Sequence, residues 1–293
     1  MTATGPSAET FRHGDGYEAF ARCWLPRRPR GAVLYLHGIQ SHGGWYEASG
    51  QDLADAGFAV LMPDRRGSGR NRRDRGHVAD ADRWLADLAE LSAELSRRTG
   101  CARIHIVGVS WGGKLACAGA ARGHAGIDPA SLTLIAPGVF PKVDLPAVQK
   151  ARVAWALLAD PQRQFEIPLD DARMFTANPQ RQAYVVGDSD RLRTVSGAFL
   201  LHSRRLDRVA RGLPRAAWRG PVHLLLAGQE RIIDNDATRR WFAELNRPGA
   251  QLSEFPDAYH TLEFEADPRP MRRIVRDWLS SVEEGTVSRP REA

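Results

Sequence analysis

The sequence contains little cysteine and no long apolar segment. Its three cysteines, Cys23, Cys101 and Cys117, are widely spaced and form no Cys-x-x-Cys pair, so we expect neither a disulfide framework nor a metal site. No apolar run approaches the roughly 18 residues that a membrane-spanning helix needs. The N-terminal segment also lacks the apolar core of a signal peptide. The sequence therefore predicts a cytoplasmic protein.

Aromatic residues are absent from the most basic part of the chain. The net charge is +6, and arginines are densest between Arg65 and Arg75, where glycines, polar residues and Asp74 are interspersed among them. Proteins that bind single-stranded nucleic acids interleave basic and aromatic side chains so that bases can stack. We therefore expect no nucleic-acid partner and interpret the arginine cluster as a charged loop.

One segment is more informative than any other. Residues 104–113, Ile-His-Ile-Val-Gly-Val-Ser-Trp-Gly-Gly, join a β-branched run to a Gly-x-Ser-x-Gly motif around Ser110. A serine hydroxyl is a weak nucleophile, so an enzyme that uses one must expose it and set a base beside it. A sharp strand-to-helix turn exposes it, and Gly108 and Gly112 let the backbone segments approach closely. The segment predicts Ser110 as a catalytic nucleophile.

Apolar runs alternate with segments of helical periodicity along most of the chain. This alternation predicts an α/β fold with a mostly parallel central sheet that helices cover on both faces. Two antiparallel strands are expected first, at 9–13 and 18–25. The strand before Ser110 and strands at 32–36, 58–62, 132–135, 222–226 and 251–255 then form the parallel core, with helices at about 46–56, 78–99, 238–245 and 270–282.

Residues 141–219 interrupt this rhythm. The segment contains helical patterns at about 147–158, 178–186 and 192–209 and no convincing strand. Its ends fall near the carboxyl edge of the sheet, where open α/β folds bind ligands, and insertions of this length are usually functional. We therefore expect a core of residues 1–140 and 220–293 that carries a helical lid at 141–219.

A base and an acid follow Ser110 at later strand ends, in the order that serine hydrolases of this topology use. His260 lies just beyond the strand that ends near Phe255 and is the expected general base. The acid is Glu230, two residues past Gly228, or alternatively Asp234. Asp234 also suits the N-cap of the helix that follows it, so we favour Glu230.

Acyl transfer also requires donors for the developing oxyanion. The backbone N–H of Trp111 lies at the start of a helix, where the helix dipole supports this role. The second expected donor is the backbone N–H of Ile39, because Gly38 lets the chain turn after the strand at 32–36. His37 is interpreted as a residue that braces this loop.

Five segments together carry a family resemblance: His37-Gly-Ile-Gln-Ser-His42 with Trp45-Tyr46, Asp64-Arg-Arg-Gly-Ser-Gly69, Gly108-Val-Ser-Trp-Gly-Gly113, Gly228-Gln-Glu-Arg-Ile-Ile-Asp234 and Tyr259-His-Thr261. In this order they resemble the α/β-hydrolase superfamily, and more narrowly its monoacylglycerol lipases, lysophospholipase-like enzymes and serine aminopeptidase domains. In such relatives the acid is usually aspartate where this chain has Glu230, and methionine is common where it has Trp111.

The resemblance implies a serine hydrolase without cofactor or metal that cleaves small-molecule carboxylic esters, of the monoacylglycerol or lysophospholipid-like type. An apolar acyl chain would lie under the lid, and the oligomeric state is not predicted. An aminopeptidase, amidase or acyltransferase would share the triad, and acidic lid residues Glu166, Asp170 and Asp171 would favour a peptidase. A ligand receptor without turnover is the alternative from another class. Apolar candidates for the pocket are Phe165, Ile167, Phe175, Phe199, Leu200 and Leu201.

Overall fold

The computed structural model describes residues 5–122, 127–246 and 248–287, and an eight-stranded sheet runs through its centre. Antiparallel pairing joins the first two strands to each other and β2 to β4, and every other pairing in this sheet is parallel, as expected. The strands are β1 (Ser7–Arg12), β2 (Glu18–Trp24), β3 (Gly31–Leu36), β4 (Phe58–Pro63), β5 (His105–Val109), β6 (Ser131–Ile135), β7 (Gln164–Glu166), β8 (Thr194–Ser196), β9 (Val222–Ala227) and β10 (Ala250–Phe255).

Helices cover the sheet. The chain forms α1 (Glu47–Asp55), α2 (Ala81–Thr99), α3 (Trp111–Arg122), α4 (Ala147–Ala159), α5 (Pro179–Gly187), α6 (Gly197–Arg211), α7 (Asn235–Ala243) and α8 (Arg269–Glu283). α1 packs with α8, and α2 packs with α3. None of the described helices is both long and apolar enough to cross a membrane.

The apolar runs of the sequence become strands that are buried on both faces. Every residue of β3, β4, β5, β6 and β9 is buried, which is what a parallel sheet between two helical layers requires. The edge strand β10 shows only partly buried and exposed residues. The predicted strands therefore occur where the sequence placed them, with ends that shift by a residue or two.

Local capping sets the ends of the long helix α2. The sequence suggested a start near Val78, but α2 begins at Ala81 because the Asp80 side chain accepts a hydrogen bond from the backbone N–H of Asp82. At the other end, Gly100 adopts φ 73° and closes the helix. The apolar residues Trp84, Leu85, Leu88, Leu91 and Leu95 recur at helical spacing and are all buried.

The order of the strands places a crevice beside the Ser110 turn. The sheet runs β1-β2-β4-β3-β5-β6-β9-β10, so the chain leaves β3 toward β4 on one side and later returns to β5 on the other. Open α/β sheets bind ligands at such a reversal, outside the carboxyl ends of the strands. The residues after β3 and β5 therefore lie on the two sides of the crevice.

The segment between β6 and β9 contains α4, α5 and α6, near the predicted helices. The expectation that it holds no strand was wrong, because β7 and β8 pair as a two-stranded antiparallel sheet. The predicted helix at 192–209 accordingly begins at Gly197, where the Ser196 side chain accepts a hydrogen bond from the backbone N–H of Phe199.

The turn between β5 and α3 leaves no room for side chains on its glycines. A Cβ atom on Gly112 would lie 2.3 Å from the Leu36 carbonyl oxygen, and one on Gly108 would lie 2.7 Å from the Gly112 carbonyl oxygen. Both neighbours are backbone atoms, one at the end of β3 and one in the first turn of α3, so they cannot move aside without disturbing the strand or the helix.

We therefore expect Gly112→Ala to lower the free energy of unfolding by more than about 2 kcal/mol, because overpacking displaces backbone. Urea denaturation followed by circular dichroism measures this change. Gly187→Ala is the matched control, since a Cβ there meets no atom within 4 Å. The control should leave stability unchanged or raise it by up to about 1 kcal/mol. Equal midpoints for the two variants would contradict the close approach at Gly112.

Candidate active site

Ser110 occupies a strained turn at the carboxyl end of β5. Its φ is 51°, a left-handed backbone conformation that non-glycine residues rarely adopt. Two hydrogen bonds hold it: the Ser110 N–H donates to the Ile135 carbonyl at 2.9 Å, and the Gly138 N–H donates to the Ser110 carbonyl at 2.7 Å. Strain of this kind persists only where the surroundings fix it, and it is concentrated at functional sites.

His260 and Glu230 form a buried pair beyond the ends of β10 and β9. His260 Nδ1 lies 2.8 Å from Glu230 Oε2, and the two side chains are only 3% and 2% exposed. The second carboxylate oxygen, Oε1, accepts the backbone N–H of Ile232 at 2.7 Å and that of Ile233 at 3.3 Å. The carboxylate is therefore fixed at both oxygens.

These contacts decide the charge of Glu230. Burial alone would raise the pKa of its carboxyl group, but the opposing effects of the His260 ring and of the two N–H donors lower the pKa below its usual value. An ionised carboxylate only accepts hydrogen bonds, so His260 carries its proton on Nδ1. Its Nε2 is then the nitrogen with a free lone pair.

Asp234 makes a different contact. Its Oδ1 accepts the backbone N–H of Ala237 at 2.9 Å, so it is the N-cap of α7, which begins at Asn235. It is an exposed residue. The structure thus gives Asp234 a structural partner and pairs His260 with Glu230.

The segment after β3 lies against the Ser110 turn. A Cβ on Gly38 would approach the Ser110 Cβ to 3.4 Å, and the Gly38 N–H donates to Ser41 Oγ at 2.9 Å. Ile39 and Trp111 line the same cavity as Ser110. The two segments that carry the predicted oxyanion donors are therefore neighbours.

The sequence reasoning missed two residues next to these donors. Gly138 follows β6, and a Cβ on it would crowd the Trp111 nitrogen at 3.3 Å. Arg65 donates to the carbonyl oxygens of Gly38 and Ile39, although its segment was interpreted as a charged loop. A glycine three residues after the end of a neighbouring strand was a usable signal for Gly138, whereas nothing in the sequence separates Arg65 from its arginine neighbours.

A cavity of about 540 Å³ opens beside Ser110. Its wall is mainly apolar and comes mainly from α3, α4, α6 and the segments that follow β6, β7 and β9. The lining residues include Val143, Leu145, Val153, Leu157, Ile167, Leu169, Leu200, Leu201, Ile232 and Ile233. Of the six apolar lid residues proposed from the sequence, Ile167, Leu200 and Leu201 line it, while Phe165, Phe175 and Phe199 pack in the interior.

One stretch of the cavity wall is polar. Lys114 Nζ lies 2.6 Å from Asp207 Oδ1 and donates to Ser203 Oγ at 3.0 Å, and the Trp111 indole N–H donates to the same Ser203 oxygen at 3.0 Å. Burial lowers the pKa of Lys114, against the attraction of Asp207. These contacts join α3 to α6.

One group of side chains among the described residues has the spacing of a metal site. His13, Asp87 and Glu90 bring ligand atoms within 4.8 Å of one another. Arg66 binds Asp87 at 2.8 Å, and Arg83 binds Glu90 at 2.6 Å. These arginines already supply the positive charge that a cation would bring, so we interpret the group as an ion-pair network that joins α2 to the turn after β1.

The sequence profile described as serine aminopeptidase, S33, matches residues 27–267 of this chain. The match spans the segment after β3, the Ser110 turn and the Glu230–His260 pair. The chain belongs to the serine aminopeptidase S33 family. As an S33 member it is a serine hydrolase with the α/β-hydrolase fold, and its relatives include monoacylglycerol lipases and a phospholipase.

Among S33-like relatives, the monoacylglycerol lipase of Mycolicibacterium smegmatis is 29% identical over 247 residues, which cover 72% of this chain and 87% of that protein. The monoglyceride lipase of Rattus norvegicus is 23% identical over 282 residues, which cover 92% of this chain and 88% of that protein. The solved structure of Paleococcus ferrophilus monoacylglycerol lipase matches with a TM-score of 0.80 at 22% identity, covering 90% of this chain and 99% of that one. This likeness confirms the predicted fold.

The lowered pKa of Glu230 makes its contribution to stability depend on pH. A carboxylate with a depressed pKa stabilises the folded state above the unfolded value of about 4.3, and this contribution is lost as the pH falls through the folded pKa. We expect the free energy of unfolding of wild type minus that of Glu230→Gln to be larger at pH 7 than at pH 3.5. Urea denaturation at pH 7 and at pH 3.5 measures this difference in the free energy of unfolding. Glu244→Gln, at an exposed position, is the control. A difference that is independent of pH would contradict the ionised pair.

Proposed function

We propose that this serine hydrolase cleaves carboxylic esters that carry an apolar acyl chain, of the monoacylglycerol or lysophospholipid-like type. The observation that carries the proposal is the mainly apolar cavity of about 540 Å³ that has Ser110 in its wall. Burying an acyl chain there is favourable by about 0.8 kcal/mol for each methylene. The lipases among its relatives support the same substrate class.

Ser110, His260 and Glu230 are the proposed catalytic triad. His260 Nε2 takes the Ser110 proton as Oγ attacks the ester carbonyl, and Glu230 stabilises the imidazolium that forms. The backbone N–H groups of Ile39 and Trp111 bind the oxyanion of the tetrahedral intermediate. Its collapse expels the alcohol with the proton from His260, and a water molecule activated by the same ring then releases the fatty acid from Ser110.

Residues 141–219 are proposed to act as a lid on a core formed by residues 1–140 and 220–293. Two observations support this division: α4 and α6 supply much of the cavity wall, and the segment lies between two adjacent strands of the sheet, β6 and β9. On the outer face of α4, the side chains of Val148, Trp155 and Leu158 are 73%, 66% and 84% exposed.

A cytoplasmic location stays a prediction.

The alternative activities differ in what the cavity would have to supply. An aminopeptidase needs a negative group for the substrate α-amine, but Glu166 and Asp170 are exposed and, like Asp171, lie outside the cavity lining. Two carboxylates that do line the cavity, Asp207 and Asp144, are paired with Lys114 and Lys150. Asp171 is engaged with Arg173 at 2.8 Å. An acyltransferase would use the same triad with an alcohol in place of water, and a receptor would use the cavity without turnover.

The proposed triad predicts that substitution of the two candidate acids, Glu230 and Asp234, affects turnover differently. We expect Glu230→Gln to lower kcat by about 10³- to 10⁴-fold, because an amide no longer holds His260 in the required tautomer. Asp234→Asn should keep kcat within about threefold, since asparagine caps a helix as well as aspartate does. Kinetics on a p-nitrophenyl ester measure both, and a greater loss in Asp234→Asn would transfer the acid role to Asp234.

The nucleophile is tested in the same set of proteins. Wild type should form a mass adduct with a fluorophosphonate, and Ser110→Ala should form none. A folded wild-type protein that forms no adduct would contradict the hydrolase mechanism and favour the receptor.

The cavity predicts a dependence on acyl-chain length. From acetate to dodecanoate esters, kcat/KM should rise about fourfold for each added methylene until the cavity is filled, which corresponds to ~0.8 kcal/mol each. Leu157→Trp fills part of the cavity and should reduce the preference for dodecanoate over acetate by at least about tenfold. Leu158→Trp is the control on the same helix, because Leu158 is 84% exposed and should leave the preference unchanged. If the two variants show the same preference for dodecanoate over acetate esters, the acyl chain binds outside this cavity.

A further inference from the structure

Arg65 is a cation that the fold turns toward backbone carbonyl groups. Its Nη1 donates to the Gly38 oxygen at 3.2 Å, and its Nη2 donates to the Ile39 oxygen at 3.1 Å. Among the described residues, no carboxylate lies within ion-pairing distance of its guanidinium. The Nε is out of contact with solvent, and burial lowers the pKa of Arg65 to about 9, which still leaves it charged at neutral pH.

The same side chain contacts the residue after Ser110. The guanidinium lies 4.5 Å from the centre of the Trp111 ring and 5.5 Å from that of Phe199. Such stacking is attractive because the face of an aromatic ring carries partial negative charge. Arg65 thus touches both segments that carry the proposed oxyanion donors.

His37 completes the arrangement. The Arg65 backbone N–H donates to His37 Nε2 at 2.8 Å, so the ring proton lies on Nδ1, which donates to the Gly38 oxygen at 2.8 Å. Burial lowers the pKa of His37 well below its usual value, which agrees with a neutral ring. The Gly38 carbonyl therefore accepts two hydrogen bonds, one from His37 and one from the Arg65 guanidinium.

These hydrogen bonds act on a peptide unit with a proposed catalytic role. The Gly38 carbonyl and the Ile39 N–H are the two ends of one planar peptide group. Donors at the carbonyl fix the rotation of that plane, and they draw electrons toward the oxygen, which makes the N–H at the other end a stronger donor. A cation has the larger effect because charge-assisted hydrogen bonds are the stronger ones.

We propose that Arg65 is a positioning residue of the oxyanion hole, which orients and polarises the Gly38–Ile39 peptide and braces the Trp111 ring beside the second donor. The inference rests on the proposed function, because the peptide matters only if its N–H stabilises an oxyanion. It also explains why arginine stands here, since its planar fork reaches two successive carbonyls and stacks on a ring at the same time.

The test compares Arg65→Met, Arg65→Lys and Arg65→Gln with a control, Arg70→Met. Arg70 belongs to the same loop, is exposed, and stacks on Phe20 at 4.5 Å instead of on the site. For each protein, kcat and KM are measured on a short ester, p-nitrophenyl acetate. The rate of labelling by a fluorophosphonate is measured as well, together with the affinity for a boronic acid that mimics the tetrahedral intermediate. Circular dichroism checks the fold.

We expect Arg65→Met to lower kcat and the labelling rate by about 10- to 100-fold, somewhat less than the loss of an oxyanion donor itself. KM should change less than about threefold, and boronic acid affinity should fall in parallel with kcat, because the contact acts on the transition state. Compared with Arg65→Met, Arg65→Lys should recover part of the lost kcat, and Arg65→Gln should recover less. Arg70→Met should stay within twofold of wild type.

Two results would overturn the inference. One is a folded Arg65→Met protein whose kcat stays within twofold of wild type, and the other is a loss confined to KM. If the methionine variant does not fold, the lysine and glutamine variants decide, and equal, near wild-type kcat values in both would reject the role of the charge. A wild-type protein that fluorophosphonate does not label would instead reject the proposed function itself, and the inference with it.

Discussion

The close approach of backbone segments at the turn after β5 is the constraint on which the rest of the site depends. Only glycine at 112 lets the first turn of α3 lie against the carbonyl groups of Leu36 and His37 at the end of β3. That contact brings the Gly38–Ile39 peptide beside Ser110 and Trp111. Ser110, two residues before Gly112, has a positive φ, so the strained proposed nucleophile and the approach of the two segments that carry the proposed oxyanion donors belong to the same turn.

The sheet topology makes this contact possible. Because β3 pairs with β4 on one side and β5 on the other, the loops after β3 and β5 start as neighbours and diverge above the sheet edge. β9 and β10 continue the parallel pairing, so the loops with Glu230 and His260 emerge at the same edge. The Ile232 and Ile233 backbone groups that hold Glu230 belong to a loop that also lines the cavity. The loop that carries the proposed acid thus also forms part of the cavity wall.

The parts that the sequence predicts are those with a local signal. Ser110 lies in a glycine motif, Glu230 follows the apolar strand β9, and His260 follows the edge strand β10, so strand ends alone bring them to one edge. β7 and β8 were missed because each has three residues and depends on a partner about thirty residues away. Arg65 was missed for a related reason: in the sequence it is one arginine among several, and only the folded backbone of residues 37–39 distinguishes it from the exposed Arg70.

The two helices over the cavity are held by forces of different strength. α6 is joined to α3 by the buried Lys114–Asp207 pair and by Ser203, and removing one partner of such a pair typically costs about 3–5 kcal/mol. By contrast, α4 buries only Val153 and Ala156, in a small cluster with Phe165. The wall formed by α3 and α6 therefore belongs energetically to the core, whereas the α4 wall rests on a few apolar contacts. It follows that the width of the cavity beside Ser110 depends mainly on how α4 packs, since α4 buries fewer side chains than α6 does.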